Sequence, residues 1–148
     1  CYKSILYKIR PNVHPSVIAK EAALEMEEHL AKATFSKVIY KKAAEKFVAS
    51  YKKRAETTNS LGHYVGMATH DVGDYGVLRP GMVLTIEPQL RIPEEKLYYR
   101  LEDLIIIGEE KAEIVSDFVP MDIEGIEKLM KEKGMLQRYP REHSTNVN

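Results

Sequence analysis

The stretch MVLTIEPQLRIPEEKLYYRLEDLIII, residues 82–107, has two apolar, β-branched and aromatic runs joined by a proline-led acidic tip. Such runs around a turn signal read as an antiparallel hairpin. With Glu94 and Glu95 at the tip, Pro93 pairs with Lys96, Ile86 with Asp103, and Glu87 stands opposite Glu102. Opposed side chains lie about 5 Å apart, and like charges there are destabilising. Two unit charges at that separation repel by roughly 3 kcal/mol at an effective dielectric near 20. Flanked by Leu84, Ile86, Leu104 and Ile106, the pair calls for a cation or a shared proton between its members. The alternative is a one-residue slip or a bulge, which puts the two glutamates on different faces, and Pro88 does interrupt the ladder. Exposed glutamates paired with Arg91 or Arg100 would then carry no chemistry.

Upstream, LGHYVGMATHDVG (61–73) sets His63 and His70 among small and apolar residues with no helical period. By itself such a pair is a weak signal, since a histidine is more often structural than a ligand. His14, His29 and His143 occupy only helix-edge or tail positions. LRPGMVLTIEP marks a turn and then the first strand, KLYYRLEDLIIIG reads as the second, and KAEIVS as a third after GEEK. MDIEGIEKLMKEKGM reads as a closing helix.

The first half is helical. Residues 1–9 end one helix, closed by RPNVHP; a second runs from about Ser16, its expected cap, to Lys32. Its apolar stripe is Val17, Ile18, Ala22, Leu24, Met26 and Leu30. A third helix spans TFSKVIYKKAAEKFVASYKKRAE, apolar at Val38, Ile39, Ala43, Phe47 and Val48. Helices first and then an antiparallel sheet make an α+β fold. The domain is expected over 1–136, with a loose polar tail at 137–148.

At 148 residues, with 44% hydrophobic and 30% charged residues, the composition is that of an ordinary globular domain. Lys+Arg and Asp+Glu are both 22, so net charge argues for neither nucleic acid nor a membrane surface. The lysines of the third helix read as a solvated face, balanced by the acidic run KEAALEMEEHL. No apolar run approaches the roughly 20 residues of a membrane span. The lone cysteine, Cys1, excludes an internal disulfide and suits a reducing compartment, here the cytoplasm. Its position, where an initiator methionine would stand, reads as an excised piece of a longer chain.

GHYVGMATHDVG, LRPGMVLTIEP and YRLEDLIII, in that order, resemble the catalytic half of the pita-bread metallopeptidases, and the likeness extends back through IRPNVHPSVIAKEAALEM. That family includes Xaa-Pro aminopeptidases, prolidases, methionine aminopeptidases and creatinase; the wording is most similar to the Xaa-Pro aminopeptidase and prolidase branch. The resemblance implies the C-terminal half of a pita-bread fold, an antiparallel sheet with helices on one face. It implies His63, Glu87 and Glu102 as metal ligands, His70 as a substrate contact near the scissile bond, and Glu87 as a proton shuttle. Two divalent ions, manganese, cobalt or zinc, would activate the attacking water. The implied substrate is a peptide with proline in the second position. Arg100 sits where a basic residue could hold a carboxylate, either a substrate's or a glutamate's.

Departures accompany the likeness. The family's two upstream aspartates have no counterpart, because the first aspartate of this chain is Asp71. Asp103 follows Glu102 and should face the other way. Asn59 stands where many members place another histidine, and Gln89 replaces a common glycine. Three of five implied ligands remain, so the chain by itself would hold one weakly bound ion or none and be inactive. The alternative function is a non-enzymatic pita-bread module that binds peptide or protein. The sheet edge that would meet the other half is expected to be uncovered, which favours a twofold homodimer.

Overall fold

The computed structural model describes residues 1–134 and residue 138. These form two compact units, Cys1–Asp117 and a second from Phe118 onward.

The first unit begins with α1 (Tyr2–Leu6), α2 (Pro15–Lys32) and α3 (Val38–Thr57). The cap of α2 is His14, whose Nδ1 accepts the Ser16 N–H at 3.3 Å, two residues earlier than the expected Ser16. Pro15 explains the shift: its fixed φ and missing N–H suit the first helical position, leaving the cap to the residue before it. α2 buries Ile18, Ala19, Ala22, Ala23 and Met26. Val17 and Leu24, expected in that stripe, are 42% and 56% exposed. Ala19 and Ala23 are buried in their place; α3, which packs on α2, buries Val48 and Tyr51 but leaves Val38 outside. Arg10 forks onto Glu21 at 2.8 and 2.9 Å and fastens the α1–α2 turn to α2. That hydrogen-bonded guanidinium holds the Glu21 carboxyl below the ordinary range. Asn12 turns the chain with φ of 61° and donates its N–H to Leu78 O at 2.8 Å, while Leu78 N–H returns to Val13 O.

The sheet region starts at a turn, Arg79–Met82, in which Met82 N–H reaches Arg79 O at 3.2 Å. Pro80 supplies the second position and Gly81, at φ 86°, the left-handed third one, as a type II turn requires. Then follow β1 (Val83–Ile86), β2 (Gln89–Ile92), a 3₁₀ turn over Pro93–Glu95, β3 (Leu97–Arg100), β4 (Asp103–Ile107) and β5 (Ala112–Ile114). β1, β4 and β5 form one antiparallel sheet, with β4 in the middle; β2 and β3 form a separate two-stranded ladder. The pairs Ile86–Asp103 and Gln89–Arg100 share the expected hairpin register. The expected single strand over KLYYRLEDLIIIG is instead two, broken at Leu101 and Glu102. Pro88 is the cause: Leu101 N–H reaches Pro88 O at 3.4 Å, but Pro88 has no N–H to return. The register survives the break while regular pairing does not.

The sheet's inner face presents Leu84, Ile86, Ile105 and Ile107, all at most 3% exposed. Asp103 shares that face, where its carboxylate accepts from Tyr2 Oη of α1 and Ser116 Oγ. The tip is tied to the start of α3 by Lys37 Nζ, 2.8 Å from each Glu95 oxygen. Among the described residues no helix is long and apolar enough to cross a membrane.

The second unit holds α4 (Ile123–Met130), capped by Asp122 accepting from Gly125 N–H at 2.8 Å. It matches the expected closing helix; the tail expected from Gln137 lies outside the described residues apart from Arg138.

Gly62 is where backbones approach most tightly: a Cβ there would stand 1.9 Å from Thr85 O. Gly62→Ala should therefore cost about 1–3 kcal/mol of stability as overpacking. Gly134→Ala, where a Cβ meets nothing within 4 Å, should leave the urea midpoint nearly unchanged by comparison. Equal midpoints for the two variants would show that the 61–73 segment does not dock on β1.

Candidate metal centre

The segment after Gly62 lies along the free edge of β1. Thr85 N–H donates to His63 O at 3.0 Å and Val65 N–H to Val83 O at 3.2 Å. The two-residue alternation of strands then brings Thr85 and Glu87 to the face on which His63 arrives. His63 N–H donates to Thr85 Oγ1 at 3.3 Å, and that hydroxyl donates to Glu87 Oε1 at 3.1 Å. Thr85 thus holds both residues in place. Sequence reasoning passed over it, although its position two before Glu87 on the same strand was a usable signal.

The imidazole has a defined tautomer. His63 Nδ1 lies 3.0 Å from Tyr64 O, and a carbonyl can only accept, so Nδ1 carries the proton. Nε2 lies 3.4 Å from Glu87 Oε1. Two acceptors facing one another at that distance need a cation or a proton between them. Glu102 completes the group: one ligand atom from each of His63, Glu87 and Glu102 lies within 4.8 Å of the others. This is the donor set, imidazole plus two carboxylates, that suits a divalent transition ion. The three residues fit one of the two divalent ions that the family resemblance implies.

Arg100 reaches the same carboxylates from the hairpin. Its Nη2 is 3.2 Å from Glu87 Oε2 and its Nη1 3.6 Å from Glu102 Oε2. The His70 ring tilts over His63 with centroids 4.2 Å apart and is exposed, at the rim of the group. Asp71 pins its loop, accepting from Met67 N–H at 2.7 Å and Val72 N–H at 2.9 Å. Those backbone donors, Val72 first, hold the Asp71 carboxyl below the usual range. The remaining positions lie elsewhere: Asp103 on the inner face, Asn59 exposed, and Gln89 Oε1 accepting from Arg91 at 2.8 Å.

Residues 3–109 match the model of metallopeptidase family M24. The chain is 36% identical over 105 residues to the Xaa-Pro aminopeptidase of Escherichia coli, covering 62% of this chain and 24% of the relative. It is 37% identical over 84 residues to intermediate cleaving peptidase 55 of Schizosaccharomyces pombe, 49% of this chain and 17% of that protein. The chain therefore spans no more than about a quarter of these relatives. Among solved structures, aminopeptidase P from E. coli with the inhibitor Pro-Leu superposes with a TM-score of 0.60 at 30% identity, over 87% of this chain and 31% of that one. Proline aminopeptidase P II from Yersinia pestis gives 0.59 at 28% identity, over 87% and 34%. The helices, the interrupted hairpin and the family match together identify the fold as pita-bread, and the chain belongs to metallopeptidase family M24, in its Xaa-Pro aminopeptidase branch.

Proposed function

We propose that this chain carries the His63–Glu87–Glu102 part of a metal-dependent peptidase centre that hydrolyses the bond before proline at peptide N-termini or in X-Pro dipeptides. The observation that carries the reading is the convergence of those three side chains, with His63 Nε2 turned toward Glu87. His63, Glu87 and Glu102 are the proposed ligands, for manganese, cobalt or zinc. When bound, such ions would polarise the scissile carbonyl and lower the pKa of water. Glu87 is the proposed proton carrier: Thr85 and Arg100 fix its two oxygens, so a proton can be taken and returned at a set position. His70 is the proposed substrate contact, its exposed ring free to meet a peptide carbonyl. Arg100 as a substrate-carboxylate contact would have to leave the glutamates first; holding them is the role its distances favour. The proposed location is a reducing compartment such as the cytoplasm, from the single cysteine.

A homodimer is the proposed assembly. An apolar cleft of about 300 Å³ lies open between α2, α3 and the β2–β3 ladder, lined among others by Phe35, Phe47, Leu90, Tyr99 and Leu101. Apolar surface of that kind favours a partner over water.

Three outcomes test these proposals. The purified chain should bind Mn²⁺ in equilibrium dialysis weakly, with His63→Ala and Glu87→Ala each losing on the order of tenfold or more, as loss of one donor entails; unchanged binding in both variants rejects the centre. Turnover of X-Pro peptides by the metal-loaded 148-residue chain should be negligible, because three ligand side chains hold two ions poorly; measurable turnover lost in Glu87→Ala would overturn this. Sedimentation at tens of micromolar should give a dimer, and a monomer there counts against the cleft as an interface.

A further inference from the structure

The face that carries Glu87 continues along the β2–β3 ladder. Arg100 is ion-paired to Glu87 at 3.2 Å, and its guanidinium carbon lies 5.9 Å from the centroid of the Tyr98 ring. The same ring lies 5.1 Å from the guanidinium carbon of Arg91, which is bonded in turn to Gln89. The ladder pairs Gln89–Arg100 and Arg91–Tyr98 put these four residues on one side of the strands. Leu90 and Tyr99, on the other side, line the apolar cleft.

The two arginines of this face differ. Arg100 has Glu87 and Glu102 at 3.2 and 3.6 Å, whereas among the described residues no carboxylate lies within ion-pair distance of Arg91. Its hydrogen bonds go to one neutral oxygen: Nε and Nη2 donate to Gln89 Oε1 at 3.1 and 2.8 Å. That acceptor takes the Nε side of the planar group and leaves the edge formed by Nη1 and the second Nη2 hydrogen open. Such an edge matches the two oxygens of a carboxylate. Gln89 and Tyr98 hold it in place beforehand, so little side-chain freedom is lost on binding. Gln89 also stands where the family resemblance has a common glycine, which makes the tether a feature of this chain's own sequence. Arg91 and Tyr98 are both exposed, so the face is open to a ligand.

Arg91 is four residues along the chain from Glu87, about 13 Å at strand rise, a span that an extended peptide covers in about four residues. In the proposed reaction one residue precedes the scissile bond, so anything at that distance belongs to the proline side of the peptide. Resting on that peptidase reading, we infer that Arg91 forms a carboxylate subsite for the substrate. With the scissile bond at the His63–Glu87–Glu102 group, a carboxylate about four residues beyond it meets the open edge of Arg91. Two sources supply that chemistry, the free C-terminus of a short peptide and an Asp or Glu side chain. Arg91 is a specificity-determining residue, selecting substrate length and charge, and takes no part in bond cleavage.

The test titrates three peptides into the full 148-residue chain in excess Mn²⁺ by isothermal calorimetry: Ala-Pro-Ala-Ala-Ala as the free acid, its C-terminal amide, and the amide of Ala-Pro-Ala-Ala-Glu. The free acid and the glutamate peptide should each bind about three- to fivefold tighter than the plain amide, as an exposed pair of good geometry allows. A gain in only one of them identifies the carboxylate's source. The gain should fade in about 1 M salt, where the Debye length falls to about 3 Å. Arg91→Met should abolish the gain and leave the affinity for the plain amide unchanged. Arg91→Lys keeps the charge but loses the fork and should keep part of the gain, which also makes it informative if Arg91→Met is unfolded by circular dichroism. Gln89→Ala, which frees the guanidinium, should reduce the gain as well. Equal affinity of the wild type for all three peptides overturns the inference, as does a gain that survives in Arg91→Met. Failure of the peptidase reading looks different: affinities unchanged in His63→Ala, with the gain still lost in Arg91→Met, would mean a carboxylate contact on a peptide not anchored at the centre. Absence of binding by every peptide overturns both.

Discussion

The molecule is organised around two carboxylates that the hairpin forces to face each other. Glu87 and Glu102 follow directly from the paired residues Ile86 and Asp103, and the chain cannot separate them without a slip that would turn Ile86 and Ile105 out of the core. Two like charges in that position are unfavourable in a sheet that serves only to be stable. Here they are compensated on two sides: Arg100 reaches the outer oxygens, and Thr85 donates to the inner one beside His63. Local cost concentrated at one spot, with structure around it arranged to hold the cost in place, is characteristic of functional sites.

The rest of the first unit can be read as support for that spot. Pro88 ends regular pairing beside Glu87, so the carboxylates sit in a gap between two ladders and not within a filled sheet. Gly62 lets the 61–73 segment lie close enough on β1 for His63 to reach Glu87. Behind the sheet, Asp103 is buried with Tyr2 and Ser116, which ties β4 to α1 and to the chain beyond β5. A buried carboxylate is tolerated only with such partners. Two neighbouring acidic residues thus have opposite fates, one joining the site and one the core, because strand side chains alternate.

Arg100 is the member of the site with two claims on it. Ion pairing explains its position without any reaction, and surface pairs of this kind contribute little stability in general. Its effect is therefore to be sought in the electrostatics of Glu87 and Glu102. The same arrangement gives the alternative reading, a pita-bread module without chemistry, a structural meaning: a site held closed by its own cation is stable as it stands.

The sequence by itself determined the α+β order and the hairpin register that sets Glu87 opposite Glu102, and the family resemblance added His63 to that pair. The order and the register followed from short-range rules: apolar runs around a proline-led tip and period-two alternation, which set the like-charged Glu87 and Glu102 opposite each other. The motif wording added the family, which the match over residues 3–109 then showed. Helix faces were less legible. Val17 and Leu24 look like core residues by composition, yet Ala19 and Ala23 are buried in their place, since no local pattern records where a neighbouring element will lie. The break of the long strand at Leu101, the cap at His14 and the relay through Thr85 were likewise settled by tertiary structure. Each depends on which backbone donor finds which acceptor once distant segments meet, as when Gly62 allows residues 61–65 to lie against β1. Sequence named the candidate ligands; contact between segments apart in the chain brought His63 to Glu87 and set Arg100 across the hairpin from it.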